Sequence, residues 1–353
     1  MTPVRFDALT SRFAQLRVGI VGDFSLDRYL DIDPAKAETS LETGLPVHNV
    51  TRVRCSPGAA GNIMQNLGAL GASALWPIGF CGEDGEGFEL LRALRGVPGV
   101  SLDHFRPTPG RRTFTYTKPL VHTPGRPPVE LSRLDIKNWE PTPADVESTL
   151  CSALRALAPR LDALVVMDQA GVPGAGVITP AVLATVRDLT ATHPRLVVLG
   201  DSRHGLGQFP PLVFKMNTVE FISLRSAGKK QRQLIDDIGH KAADLPLEEI
   251  KAGAERLAGA NQRAVFVTLA ERGIVGAAPG EPAAHVPALP VRGEIDIVGA
   301  GDSVTAVLTL ALAAGAGIEE AMSLAQAAAS IVIHQLGTTG SAHVPELRAL
   351  LFS

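Results

Sequence analysis

Short apolar runs alternate with segments whose apolar positions recur every three to four residues. The runs RVGIVGDF (17–24), ALVVMD (163–168), LVVLGD (196–201), LVFKMN (212–217) and AVFVTLA (264–270) have the pattern of buried strands. Helical periodicity marks 144–158, 178–192, 246–260 and 319–336. Strand and helix in alternation predict an α/β sandwich around a mainly parallel sheet. The strands end in polar residues: Asp23, Asp168, Asp201, Asn217 and Thr268. Ligands bind beyond the carboxyl ends of such strands, so these residues are expected to face one crevice.

Two stretches break the alternation. PVHNVTRVRC (46–55) and TFTYTK (113–118) look like strands with no helical partner. In the second, Phe114 and Tyr116 alternate with threonines, which gives one apolar and one polar face. VELSRLDI (129–136) is placed to pair with it across the turn-rich HTPGRPP. A small sheet outside the main body is expected, with about 24–55 and 105–136 as its segments, either as a lid or as an ordinary β edge covered by something else. The rest reads as a single domain over 1–353.

Composition narrows the class. Of 353 residues, 45% are hydrophobic and 20% charged, enough for a large core. The net charge of −3 gives no global basic excess toward nucleic acid or an anionic membrane. The basic run Arg225, Lys229, Lys230, Arg232 is expected to be solvated surface. Three dispersed cysteines, Cys55, Cys81 and Cys151, argue for a reducing compartment and against a metal-binding CxxC pair. The N-terminus lacks the signal-peptide pattern, and the longest weakly polar stretch, about 304–318, is too short to span a bilayer. A cytoplasmic globular protein is the expectation.

The chemistry concentrates in three places. DIVGAGDSVTAVL (296–308) puts Gly299, Ala300 and Gly301 ahead of Asp302 and an apolar helical run. Asp302 could be an ordinary helix cap. It could also be a general base beside an anion hole made by the glycine-rich main chain and the helix N-terminus. PGAAGNIMQNLGALG (57–71) is a glycine-rich turn before an amphipathic helix, with Asn62 at its mouth. Asn62 is either a cap or a contact to a polyhydroxylated ligand. KMNTVE (215–220) sets Lys215 at a strand end, with Asn217 and Glu220 on one face of a starting helix. An amide and a carboxylate are oxygen donors suited to Mg²⁺, often through water. VGIVGD (18–23) lacks the spacing of a dinucleotide turn.

Taken in chain order, glycine-rich turn with Asn62, then Lys-x-Asn-x-x-Glu, then Gly-Ala-Gly-Asp, the three motifs resemble the PfkB/ribokinase family of sugar kinases, over nearly the whole chain from Gly22. The resemblance implies a ribokinase-like three-layer α/β/α sandwich with a small β-sheet lid. It implies ATP as co-substrate with Mg²⁺, and Asp302 as the base beside an anion hole of Gly299, Ala300 and Gly301. Asp27, Gly58, Asn62 and Arg133 would hold the sugar. Lys215, Thr268 and Gly273 would meet the nucleotide, and Asn217 and Glu220 the metal's water shell. Some relatives hold a monovalent cation such as K⁺ near the loops at Asp296 and Gly337–Ser341, and many pair two copies through the lid. Within the family, GDFSLDRYL (22–30), SLETGLPV (40–47), SRLDI (132–136) and AAASIVIHQLGTTG (327–340) resemble heptose-7-phosphate kinases, the kinase half of bifunctional heptose synthases. Departures from the family pattern stand at Pro57, Pro119, Lys137, Asn138, Ala270, Ile297 and Gln326. The expected activity is phosphoryl transfer from ATP to a hydroxyl of a sugar or sugar phosphate. Another acceptor, such as a ketohexose, a hexose phosphate or a nucleoside, and a non-catalytic sugar- or nucleotide-binding regulator are the alternatives.

Overall fold

The computed structural model describes residues 1–225, 245–337 and 339–352. Lys229, Lys230 and Arg232 of the basic run lie outside the described residues. In chain order the strands are β1 (Arg17–Gly22), β2 (Phe24–Ile32), β3 (Glu38–Thr39), β4 (Pro46–Val47), β5 (Val50–Ala59), β6 (Ala74–Gly82), β7 (Phe105–Thr108) and β8 (Phe114–Val121). They continue with β9 (Val129–Glu130), β10 (Leu134–Ile136), β11 (Ala163–Asp168), β12 (Val197–Ser202), β13 (Val213–Asn217), β14 (Val265–Thr268), β15 (Ile274–Ala277) and β16 (Ala284–Val286).

Nine strands form the main sheet in the order β16-β15-β14-β13-β12-β11-β1-β6-β7. All neighbours from β14 to β7 run parallel, and β14-β15-β16 close the other edge antiparallel. One apolar core lies between this sheet and the helices Ala60–Ala69, Ala300–Ala313 and Ile318–Ile333. A second lies against Ala144–Leu157, Pro180–Thr192 and Leu247–Asn261. The α/β/α sandwich expected from the alternation is therefore present. Helix Ala300–Ala313 is buried on nearly every side, with Ser303, Thr305 and Thr309 fully buried. Their hydroxyls donate to nearby oxygens, so little desolvation penalty remains.

The second sheet has the order β10-β8-β2-β5, with β9 also on β8. β8 pairs antiparallel with β9 and β10 across the HTPGRPP turn, as the pattern predicts. β2 pairs antiparallel with β5 but parallel with β8, so this sheet is mixed. Two readings shift. The run 17–24 breaks at Asp23 and feeds both sheets, β1 into the large one and β2 into the small one. Asp23 makes the break rigid, because its carboxylate accepts the amides of Gln169, Ala170 and Val177. It is buried and tied to a loop, so it offers the crevice nothing. Phe105–Thr108, within the span assigned to the small sheet, instead extends the large sheet as edge strand β7. Among the described residues no helix is long and apolar enough to cross a membrane.

Candidate active site

β12, β13 and helix Ala300–Ala313 converge at the carboxyl edge of the sheet. Gly299 precedes the helix in the left-handed region, at φ +85°. A Cβ there would lie 2.9 Å from the Asn62 amide nitrogen, so the turn needs glycine for shape and for clearance. The turn is closed by Ala300 N–H donating to the Ile297 carbonyl at 3.2 Å. That corrects one expectation: Ala300 has no amide to spare for an anion. Among the described residues, the N–H groups of Gly299, Gly301 and Asp302 have no acceptor. These three amides, at the positive end of the helix, are the ones left to meet an anion.

Asp302 is partly exposed in the first turn of that helix. Asn62 Nδ2 donates to its Oδ2 at 2.6 Å. Burial pushes the Asp302 carboxyl up to about 6, against the opposing pull of Asn62 and Lys215. A carboxylate of that basicity suits proton abstraction near neutral pH. Asn62 is itself held in the first turn of helix Ala60–Ala69, with its main-chain carbonyl taken by Asn66. Gly61, just before it, packs so closely on Pro57 that a Cβ would lie 2.5 Å from the Pro57 side chain.

The acceptor side is a row across the small sheet. Ser56, Asp27, Tyr116 and Asp135 stand opposite one another on β5, β2, β8 and β10, so their side chains share one face. Asp27 is buried, and burial raises its pKa while Lys118, Arg133 and Arg203 oppose the rise. Its nearest cation is Lys118 Nζ at 3.9 Å, which also lies over the Tyr29 ring. Among the described residues the Asp27 carboxylate accepts no hydrogen bond, leaving its oxygens for a ligand hydroxyl. Gly58 has to be glycine here, because a Cβ would lie 2.7 Å from Asp27 Oδ1. Arg133 is more confined than the resemblance implies. It chelates Asp135 through Nε at 2.8 Å and Nη2 at 2.9 Å and stacks on Tyr116.

A cavity of about 490 Å³ lies where the sequence reading expects the phosphoryl donor. Thr268, Gly273, Gly301, Gln326 and Asn217 line it, with Leu289, Val291 and Ile297 as its apolar wall. Gly273 has φ +96°, and a Cβ would strike the Val286 carbonyl. Ala270, in the same turn, holds φ +51° without being glycine. Asn217 and Glu220 form a reciprocal capping box: Asn217 N donates to Glu220 Oε2 at 2.8 Å, and Glu220 N to Asn217 Oδ1 at 2.9 Å. Burial and Asp201 push the Glu220 carboxyl up. Its second oxygen accepts nothing among the described residues, and no group of three or more metal-ligating side chains occurs there. This donor set fits an outer-shell role toward a hydrated Mg²⁺ carried in on phosphates, since Mg²⁺ keeps most of its water.

Lys215 is placed differently from the expectation. It is 7% exposed, and its ammonium pairs with Asp201 Oδ2 at 2.8 Å behind the glycine turn. It does not line the donor cavity. The carbonyls of Gly337 and Ser341, in the loop proposed for a monovalent cation, already accept from Arg54 and Gln335. Sequence reasoning missed Tyr116, Lys118, Thr305 and Arg203. Arg203 follows Asp201 at the end of β12, exposed, and its charge acts on Asp27, Glu220 and Asp302 alike. The signal for it was position: it is the first basic residue beyond a strand end that faces the crevice.

A mainly parallel α/β/α sandwich with a carboxylate at a glycine-turned helix N-terminus has a counterpart among known proteins. Residues 239–345 match the family model described as pfkB family carbohydrate kinase. The similarity of this chain to carbohydrate kinases rests on that match and on the relatives that follow. The bifunctional protein HldE of Bradyrhizobium sp. (strain ORS 278) is 32% identical over 339 residues, covering 94% of this chain and 63% of the relative. HldE of Rhodopseudomonas palustris (strain BisB5) is 30% identical over 340 residues, covering 95% and 63%. The chain therefore spans just under two thirds of the length of these curated relatives. Among solved structures, Arabidopsis thaliana ribokinase complexed with ribose and ATP superposes with a TM-score of 0.63 at 19% identity, covering 96% of this chain and 99% of that one. Phosphofructokinase-2 from Escherichia coli in complex with potassium gives 0.67 at 18%, covering 96% and 100%. These two share the fold.

Proposed function

We propose that this chain transfers the γ-phosphoryl group of ATP to a hydroxyl of a sugar phosphate, with a heptose phosphate as the leading acceptor. The observation that carries the reading is the position of Asp302. It is a carboxyl with pKa about 6, next to Gly301, which lines the cavity, and beside unpaired amides. Above that pH Asp302 is ionised and takes the proton of the acceptor hydroxyl. Asp27 and Asn62 orient the acceptor. The amides of Gly299, Gly301 and Asp302 meet the charge that spreads over the phosphoryl oxygens. Asn217 and Glu220 hold the water shell of Mg²⁺, which screens phosphate charge when bound. A phosphorylated acceptor suits the cations around Asp27: Lys118, Arg133 and Arg203.

The small sheet works as a lid in this reading, closing over the acceptor to exclude water. Its far face carries the exposed Val53 and Leu134, and a second copy of the chain is the proposed cover. Light scattering that finds only monomer removes that part. The activity itself is tested by following ADP release from ATP and Mg²⁺ over a panel of sugars and sugar phosphates. Turnover restricted to a phosphorylated acceptor supports the assignment. Turnover on a neutral sugar or nucleoside alone moves it to that acceptor. Thermal stabilisation by ligands with no turnover makes the chain a binding protein.

A further inference from the structure

The buried pair behind the glycine turn has no part in the roles assigned so far. Asp201 is the penultimate residue of β12 and is 5% exposed. One of its oxygens, Oδ2, receives two donors: Lys215 Nζ at 2.8 Å and Thr305 Oγ1 at 2.7 Å. Thr305 is fully buried and stands one helical turn after Asp302 on the same helix. Asp201 therefore ties the end of β13, where Lys215 lies, to the helix that carries the base. The lysine also explains a glycine. A Cβ on Gly301 would lie 3.3 Å from Lys215 Nζ, closer than such contacts comfortably allow. The ammonium is thus directly beneath the main chain whose amides face the phosphoryl group.

We propose that Asp201 is a positioning residue for phosphoryl transfer: it locks the Lys215 ammonium under the Gly301 turn, with Thr305 fixing Asp201 in turn. This rests on the kinase reading above. Two carboxyls besides Asp201, those of Glu220 and Asp302, are within electrostatic reach of the lysine. Released from Asp201, the flexible side chain has both as alternative partners. Pairing with Asp302 would occupy the base. Pairing with Glu220 would draw positive charge away from the glycine turn. Asp201 prevents both by a short, buried, doubly donated contact. A fixed charge here favours the transition state over the bound substrates, since negative charge on the transferring group is only then delivered against these amides.

The test is a double-mutant cycle on wild-type protein, Asp201→Asn, Lys215→Met and the double variant, with kcat and both KM values measured at one pH. Asp201→Asn is expected to lower kcat about 100-fold with each KM within about threefold, the mark of an interaction made in the transition state. The double variant is expected to be no slower than Lys215→Met alone, because both changes remove one device. Asp201→Glu is expected to recover part of the loss. If Asp201→Asn does not fold, Thr305→Val carries the test, with an expected loss of about tenfold in kcat and none in KM. Wild-type kcat in Asp201→Asn, or losses that multiply in the double variant, would overturn the positioning role and leave the kinase reading standing. A wild-type chain that transfers phosphoryl to no acceptor overturns that reading, and this inference falls with it.

Discussion

Asn62 Nδ2 lies 2.6 Å from Asp302 Oδ2, and 240 residues of chain separate the two. A helix mouth next to the small sheet and the helix on the far side of the glycine turn thus meet at one carboxylate. The amide donates to the ionised form, so it holds the Asp302 pKa lower than burial alone would. Asn62→Ala removes that donor and moves the pKa further up. The acid limb of the pH profile of kcat/KM is expected to shift above the wild-type position near pH 6. Initial rates between pH 5 and 8 check this, and an unmoved limb assigns the ionisation to another group.

Asp302→Asn separates catalysis from stability. Removing a positioned base is expected to cost about 10²–10⁴ in kcat. Stability moves the other way. The carboxyl titrates near 6 in the folded chain against 3.8 as its ordinary value, so the folded state binds the extra proton between those pH values. Stability contributed by this group is therefore greatest below pH 4 and is lost as pH rises through 6, at a cost of up to about 3 kcal/mol. Asp302→Asn escapes that loss. Denaturant titrations are expected to find the variant as stable as wild type or more so at pH 7.5, with the difference shrinking toward pH 4.

Arg203 is the exposed cation that bears on both ends of the site. Arg203→Ala is expected to reduce kcat/KM for a phosphorylated acceptor by about tenfold to a hundredfold, the range of a charge-assisted contact. A neutral sugar serves as the control. Loss confined to the phosphorylated acceptor places the guanidinium on the acceptor's own phosphate. Equal loss for both places it on the group in flight.

Ala59 caps the helix that carries Asn62 with φ +52° and ψ −121°, a conformation that a residue with a Cβ reaches only under strain. Ala59→Gly is expected to stabilise the chain by about 1 kcal/mol, the relieved strain less the extra entropy of unfolded glycine. Equilibrium unfolding in urea measures it. Ala270, at φ +51° beside the donor cavity, is expected to respond the same way.

How far the sequence reached follows from the range of the forces involved. Strands β11 to β14 and the helices between them were legible because each buries an apolar stripe whose period belongs to the segment itself. β6 was missed: Pro77 and Gly79 interrupt its apolar run, and only the neighbouring β1 and β7 make it a central strand. The parallel pairing of β2 with β8 was also hidden, because it joins segments some ninety residues apart with no local mark of register. In the candidate site, the turns at Gly58 and Gly273 and the helix starts that carry Asn62 and Asp302 were legible, because glycine turns and helix mouths announce themselves in short motifs.

The order of residues by itself determined the layered α/β architecture, the glycine turns and the presence of an acid at a helix start, since backbone sterics and burial periodicity act within a few residues. Only the tertiary structure decided which donors were still free. It set the Asn62 amide against Asp302, gave the Gln169 and Val177 amides to Asp23, and sank Lys215 against Asp201. A hydrogen-bonding group serves a ligand only when no nearer partner satisfies it, and the nearest partner is fixed by packing between distant parts of the chain.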